Sequence, residues 1–313
     1  MVLRLGGDLR RSGVEPARGA WVPVRRGVWL PAAQWQPLTP SQRHCARVFA
    51  TAMLIDGEAV FAQAAAAAIW GLPRIEPWPT RIDVLSHRSH PRSSSGILRH
   101  AGRVCSPVDV ATVRVTPVAR TVIDLARWHS LETAVAASDY ALRAGLCTRK
   151  ELEAETSGLP ARARGVRMAR LVLALADPRA ESPGESLSRV QMFRHGIPRP
   201  DLQVSLVDES GVFGRSDFGW GERVVGEFDG RWKYEVPPGG DAQQAAEALW
   251  REKAREDRIR RTGRRVARWV YRDAAQGHPM VTILARAGIH PVSPGTWLKA
   301  PEQNSASEQS GAS

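Results

Sequence analysis

The apolar residues keep one rhythm up to about residue 176 and another beyond residue 184. In the first stretch, AWVPVRRGVWLP (20–31) alternates apolar and basic positions around Gly27, which predicts a short hairpin. TPSQRHCARVFATAML has helical spacing behind Ser41, a suitable N-cap. AVFAQAAAAAIWGLP predicts a second helix, closed by Gly71 and Pro73. TRIDVLS (80–86), GILRHAG (96–102) and TVRVT (112–116) are short, β-branched and bounded by turn residues, so three strands are expected. Helices follow over TPVARTVIDLARWHS (Thr116 as cap, Pro117 in the first turn), LETAVAASDYALRAG, TRKELEAETSG and RGVRMARLVLALADP.

DPRAESPG (177–184) is polar and rich in breakers, and a domain boundary is placed there. Beyond it come a helix (185–196), strands over DLQVSLVD, FGRSDFGW and RVVGEFDG, a long helix stopped by Gly263, a strand over RRVARWVY and a last helix from His278. The order α-β-β-β-α-β-α predicts an α/β domain with a mixed sheet. The expected layout is an irregular N-terminus (1–19), an α/β domain with a helical end (20–176), the linker, a second α/β domain (185–290) and a small, polar, disordered tail (291–313).

Composition narrows the partners. The chain has 313 residues, 44 Lys and Arg against 32 Asp and Glu, and a net charge of +12. Such a balance suits a polyanion, nucleic acid first, or a general bias towards arginine. Three cysteines without a CxxC pair give neither a disulfide framework nor a thiolate zinc site. Without a signal-peptide pattern or an apolar run of membrane length, a cytoplasmic protein without membrane contact is expected. His87, His90 and His100 sit in a Ser- and Arg-rich segment that reads as an exposed basic loop rather than a zinc site. No dinucleotide fingerprint, phosphate-binding glycine loop or nucleophile elbow is found.

The candidate chemistry lies in VVGEFDGRWKYE (224–235). On a strand Val225, Glu227 and Asp229 share a face, with the two acids roughly 7 Å apart. A hairpin with the preceding strand brings Asp217 close to Glu227. Converging carboxylates repel unless a cation or proton intervenes. Mg²⁺ (or Mn²⁺) would relieve them and could activate water against a phosphodiester. Glu185, in a helix first turn, is a fourth acid, and Lys233 or Lys253 could polarise the phosphate. Local roles compete with this reading. Glu185 could pair with Arg189, Asp217 with Arg215 or Arg223, and Asp229 could serve a turn before Gly230. Residues 251–272 hold ten Lys or Arg against three acids. Arg251, Arg255 and Arg258 share a helix face, and Arg264, Arg265 and Arg268 carry the charge onward as candidate backbone-phosphate contacts.

The order Glu185, Asp217, Glu227-Phe-Asp229-Gly230 and EKAREDRIRRTGRRVARWVY resembles a restriction-endonuclease-like domain, in the branch related to the very-short-patch mismatch repair endonuclease. The resemblance spans about 182–290 and implies a Mg²⁺-dependent DNA endonuclease or nicking enzyme of defence or repair. Asp217 and Glu227 would hold the metal, and Glu185 would support it. Asp229 stands where many such nucleases carry lysine, and Lys233 near the place of a family histidine. RRGVWLP, AAAAAIWGLP and VTPVARTVIDLAR resemble AbiEi-type abortive-infection antitoxins over about 20–145. That resemblance implies operator DNA and a cognate toxin protein as partners. The twenty residues before Trp21 are too short for the expected helix-turn-helix. Two further functions therefore stand beside the nuclease: a non-catalytic DNA-binding regulator or antitoxin that keeps the nuclease fold, and a protein–protein adaptor.

Overall fold

The computed structural model describes residues 2–16, 19–55, 59–86, 93–94, 96–101, 106–230, 242–292 and 296–298. The side chains of 242–249, 251, 252 and 296 lie outside the description. The fold is α/β, and the chain divides into two compact units, Met1–Val190 and Gln191–Ser313.

Unit 1 begins with β1 (Arg4–Leu5), α1 (Gly6–Arg11), β2 (Trp21–Arg25), β3 (Val28–Pro31), α2 (Ala32–Trp35) and α3 (Pro40–Ala52). The three strands form a sheet in the order β1-β3-β2, with β3 antiparallel to both neighbours. Val24, Val28 and Leu30 pack against Ala46 and Ala50 of α3. Next come β4 (Val60–Phe61), α4 (Gln63–Trp70), β5 (Ile82–Ser86), β6 (Ile97–Ala101), β7 (Val108–Val110) and β8 (Val113–Val115). They build a mixed five-stranded sheet, β6-β5-β4-β8-β7. Ala64–Ala68 of α4 are all buried, since side chains this small let neighbouring elements approach the helix on every side. The helical end comprises α5 (Val118–Trp128), α6 (Leu131–Arg143), α7 (Arg149–Ser157) and α8 (Val166–Leu175), with α5 touching the other three. α9 (Pro183–Arg194) runs across the division between the units.

Unit 2 holds β9 (Asp201–Asp208), β10 (Gly211–Trp220), β11 (Val224–Asp229), α10 (Ala242–Arg261), β12 (Arg265–Val270), α11 (Tyr271–Gln276) and α12 (His278–Arg286). The sheet order is β12-β11-β10-β9. β9, β10 and β11 form an antiparallel meander, and β12 joins β11 in parallel after the α10 crossover. One face carries Phe218, Trp220 and Trp269, which fill the space above Gly226. The other carries Leu206, Val225 and Val266, covered by Ile259 of α10.

Several expectations are corrected. The N-terminus is regular in part: β1 and α1 form over Arg4–Arg11 because Leu3, Leu5 and Leu9 find apolar neighbours or burial. Thr39, not Ser41, caps α3, in a reciprocal capping box with Gln42 and with Pro40 in the first turn. Val60 and Phe61 form a strand ahead of α4, because β5 and β8 flank that position. Residues 177–180 are packed: Asp139 accepts from Asp177 N–H, and both Asp177 and Ala180 are buried. In the expected tail, Thr296–Leu298 form a 3-10 turn, with Trp297 buried and its indole N–H donating to the Ile197 carbonyl. Residues 299–313 lie outside the described residues. Among the described residues, no helix is long and apolar enough to cross a membrane.

Candidate nucleic-acid interface and its acidic centre

The β10–β11 hairpin pairs Phe218 with Gly226, Gly219 with Val225 and Trp220 with Val224. One step further, the same register sets Asp217 opposite Glu227 on one face of the sheet, as the alternation predicts. Here side chains take over the ladder. Phe228 N–H donates to Asp217 Oδ2 at 2.8 Å, and Ser216 Oγ donates to the Gly226 carbonyl at 2.9 Å. The Asp217 carboxylate thus terminates the strand pairing. β12 adds Arg268 as the parallel neighbour of Glu227.

Glu227 is buried and held from two sides. Arg255 Nη2 donates to Oε1 at 2.6 Å, and Arg268 Nη2 donates to Oε2 at 2.7 Å. Arg255 also donates to the Arg215 carbonyl at 2.9 Å, which fixes it over the hairpin. One carboxylate therefore faces two guanidiniums, each through a charge-assisted hydrogen bond. A hard divalent cation would need those same oxygens and would meet two positive charges beside them. Asp217 and Glu227 share a face, but Asp217 Oδ2 is taken by an amide and both Glu227 oxygens by guanidiniums. This set fits an ion-pair clamp and does not fit a Mg²⁺ or Mn²⁺ centre.

The other candidates scatter. Glu185 accepts from Ser182 Oγ at 2.7 Å and from Glu181 N–H at 2.8 Å, a capping arrangement at the start of α9. Its expected partner Arg189 instead donates to Asp139, which also takes the Ser186 hydroxyl. That pair is fully buried in unit 1, and its satisfied donors permit the burial. Asp229 is half-buried and stands beside Val270 of β12. Lys253 is exposed, with its ammonium 5.8 Å from the Trp250 ring centroid. Lys233 lies outside the described residues.

The predicted arginine stripe divides. Arg255 turns to Glu227 rather than outward. Arg258 forks onto Asp208, with Nη2 2.9 Å from Oδ1, and lies 4.3 Å from the Phe213 ring centroid. That fork holds the Asp208 carboxyl below its ordinary range. The Arg251 side chain lies outside the described residues. Arg264 and Arg265 join Arg260, Arg268 and Arg286 around one concavity beside β12. Arg286, near the end of α12, escaped the sequence reading because the fold, not the spacing, brings it to that place.

A polar cluster in unit 1 was also missed. His100 Nε2 meets Asp83 Oδ1 at 2.8 Å, and Arg74 donates to His129 Nδ1 at 3.2 Å. His44 is fully buried and stacked on Trp78, at 5.0 Å between ring centroids. Burial pushes its imidazole down to about 4. His100 is thus held by Asp83, while His87 and His90 lie outside the described residues.

No protein-family model matches this chain. It is similar to two proteins of Mycobacterium tuberculosis: Uncharacterized protein MT2308 of strain CDC 1551 and Uncharacterized protein Rv2248 of strain H37Rv. Each is 33% identical over 222 residues, covering 69% of this chain and 76% of the relative. At that identity and coverage, the chain belongs to the family of these mycobacterial proteins.

Proposed function

We propose that unit 2 is a DNA-binding module that grips backbone phosphates through arginines beside β12 and needs no metal ion. The observation that carries this reading is the clamp on Glu227. The acid that a nuclease would give to a cation is neutralised by Arg255 and Arg268. Nearby, Arg264, Arg265 and Arg286 have no carboxylate partner among the described residues and line one concave surface. Guanidiniums in that state suit phosphate oxygens, which accept from their forked N–H groups. Such contacts position a duplex without reading its sequence. A regulator or antitoxin role, with a cognate toxin protein as partner, is the biological setting this reading favours.

A second reading, a Mg²⁺-dependent endonuclease, draws on Asp217 and Glu227 standing opposite each other on one sheet face. It requires Arg255 and Arg268 to release Glu227 first.

Mobility shift on a duplex in EDTA tests the first reading. Wild type is expected to bind, with a log–log salt slope of about −2 to −3 for some three phosphate contacts. Arg264→Ala/Arg265→Ala is expected to weaken binding at least tenfold. Binding that requires Mg²⁺, or that ignores those arginines, would reject it.

A further inference from the structure

Arg260 at the end of α10, Arg264 before β12, Arg265 and Arg268 on β12 and Arg286 of α12 line a cavity of about 500 Å³. Val266, Ile283 and Ala287 supply its apolar lining, and no acid or aromatic residue contributes. Arg260 and Arg268 are partly compensated: both reach Glu256, and Arg268 also reaches Glu227. The other three have no carboxylate partner among the described residues. Arg264 Nη1 is shielded from solvent and makes no hydrogen bond among the described residues. A donor in that state carries a desolvation cost that an incoming acceptor would remove.

Arg265 is also positioned by the backbone. Its guanidinium lies against Gly288, where an added Cβ would stand 2.5 Å from Nη2 and 3.0 Å from Cζ. Gly288 has φ +92°, so glycine is suited to this turn on two counts. The cavity therefore gathers forked donors, one of them desolvated and one seated on a glycine, with a strong local excess of positive charge.

We propose that this cavity is a site for a phosphate group carrying at least two negative charges. An internal phosphodiester offers one charge and needs no concavity. A terminal phosphate or a pyrophosphate offers two or more charges and oxygens on several sides, which suits guanidiniums converging from α10, β12 and α12. The lack of an aromatic lining gives no stacking platform for a base, so charge rather than base identity is recognised. The proposal rests on reading these arginines as a phosphate-binding surface and narrows what they hold. Two sources share the chemistry: the 5′-phosphate end of a nucleic acid and a free polyphosphate.

The test is calorimetric titration of the full chain with sodium pyrophosphate, beside anisotropy with 5′-phosphorylated duplex, 5′-hydroxyl duplex and covalently closed circular DNA. Pyrophosphate is expected to bind one equivalent and to displace the 5′-phosphorylated duplex. Arg265→Ala/Arg286→Ala is expected to lose pyrophosphate affinity tenfold or more and, because both arginines also belong to the proposed duplex surface, to weaken closed-circular binding as well. Both residues are exposed, so their truncation leaves the core intact. The paired lysine variants keep the charge but lose the forks, and are expected to fall between. Preference for the 5′-phosphorylated over the 5′-hydroxyl duplex assigns the nucleic-acid end; equal binding of the two, with pyrophosphate still bound, assigns a free polyphosphate. Pyrophosphate binding without any DNA binding would leave this site standing and remove the DNA reading. No pyrophosphate binding, or binding that both variants retain in full, overturns the proposal.

Discussion

At the scale of single residues, Glu227 carries the argument. Its two oxygens accept from two guanidiniums, and its side chain is only 12% exposed. Removing the charge leaves two partly covered arginines facing each other. Glu227→Gln is therefore expected to lower the unfolding free energy by about 1–3 kcal/mol, the range for a charged hydrogen-bond partner lost from a partly buried pair. Urea denaturation followed by tryptophan fluorescence measures it, and an unchanged midpoint would show that the clamp contributes nothing. His44 gives a second residue-scale expectation. Its folded-state pKa is depressed to about 4 from the ordinary 6.5. Between those values the unfolded chain binds the extra proton, so stability rises with pH there and is lost as pH falls from about 6.5 to 4. The full linkage is about 3 kcal/mol. His44→Phe, which can keep a ring stack on Trp78, is expected to flatten that profile in urea midpoints taken at pH 7, 6 and 5. A profile as steep as wild type would contradict the assignment.

Among the elements, the meander of unit 2 depends on glycines where large rings cross the sheet. At Gly226 an added Cβ would stand 2.7 Å from Trp269 Cη2 and 3.1 Å from Trp220 Cζ3. Gly226→Ala is therefore expected to destabilise by about 1–3 kcal/mol through overpacking. Thermal unfolding followed by circular dichroism measures it, and a melting point equal to wild type would mean that the rings move aside freely. This scale also shows what the chain pattern made legible. DLQVSLVD is a strand over the expected residues, and the shared face of Val225, Glu227 and Asp229 follows from a period of two. The order of helices and strands in unit 2 was readable apart from the six-residue α11, because the other elements are long or strongly patterned. The short pieces were not. β1 and β4 have two residues each, so tertiary pairing rather than local pattern defines them. The destination of Arg255 and Arg258 was hidden for a related reason. A one-dimensional stripe shows which residues share a helix face, not whether that face meets solvent or, as here, the carboxylates of a sheet.

Over the whole molecule, a net charge of +12 and the arginines beside β12 support the proposed polyanion binding. Composition could suggest that much, but not which arginines are free to act. Separating those engaged by Glu227 and Asp208 from Arg264, Arg265 and Arg286, which line the cavity without a carboxylate partner among the described residues, required the fold. The central claim is that the acids of the β10–β11 hairpin are structural and that DNA is held without metal. One experiment addresses it most directly: supercoiled plasmid incubated with wild type and with Asp217→Ala, in EDTA, Mg²⁺ and Mn²⁺, with retention and topology read on the same gels. The account predicts plasmid retained equally under all three conditions and left supercoiled by both proteins. Open-circular product that appears with Mg²⁺ or Mn²⁺ and vanishes in Asp217→Ala would contradict it.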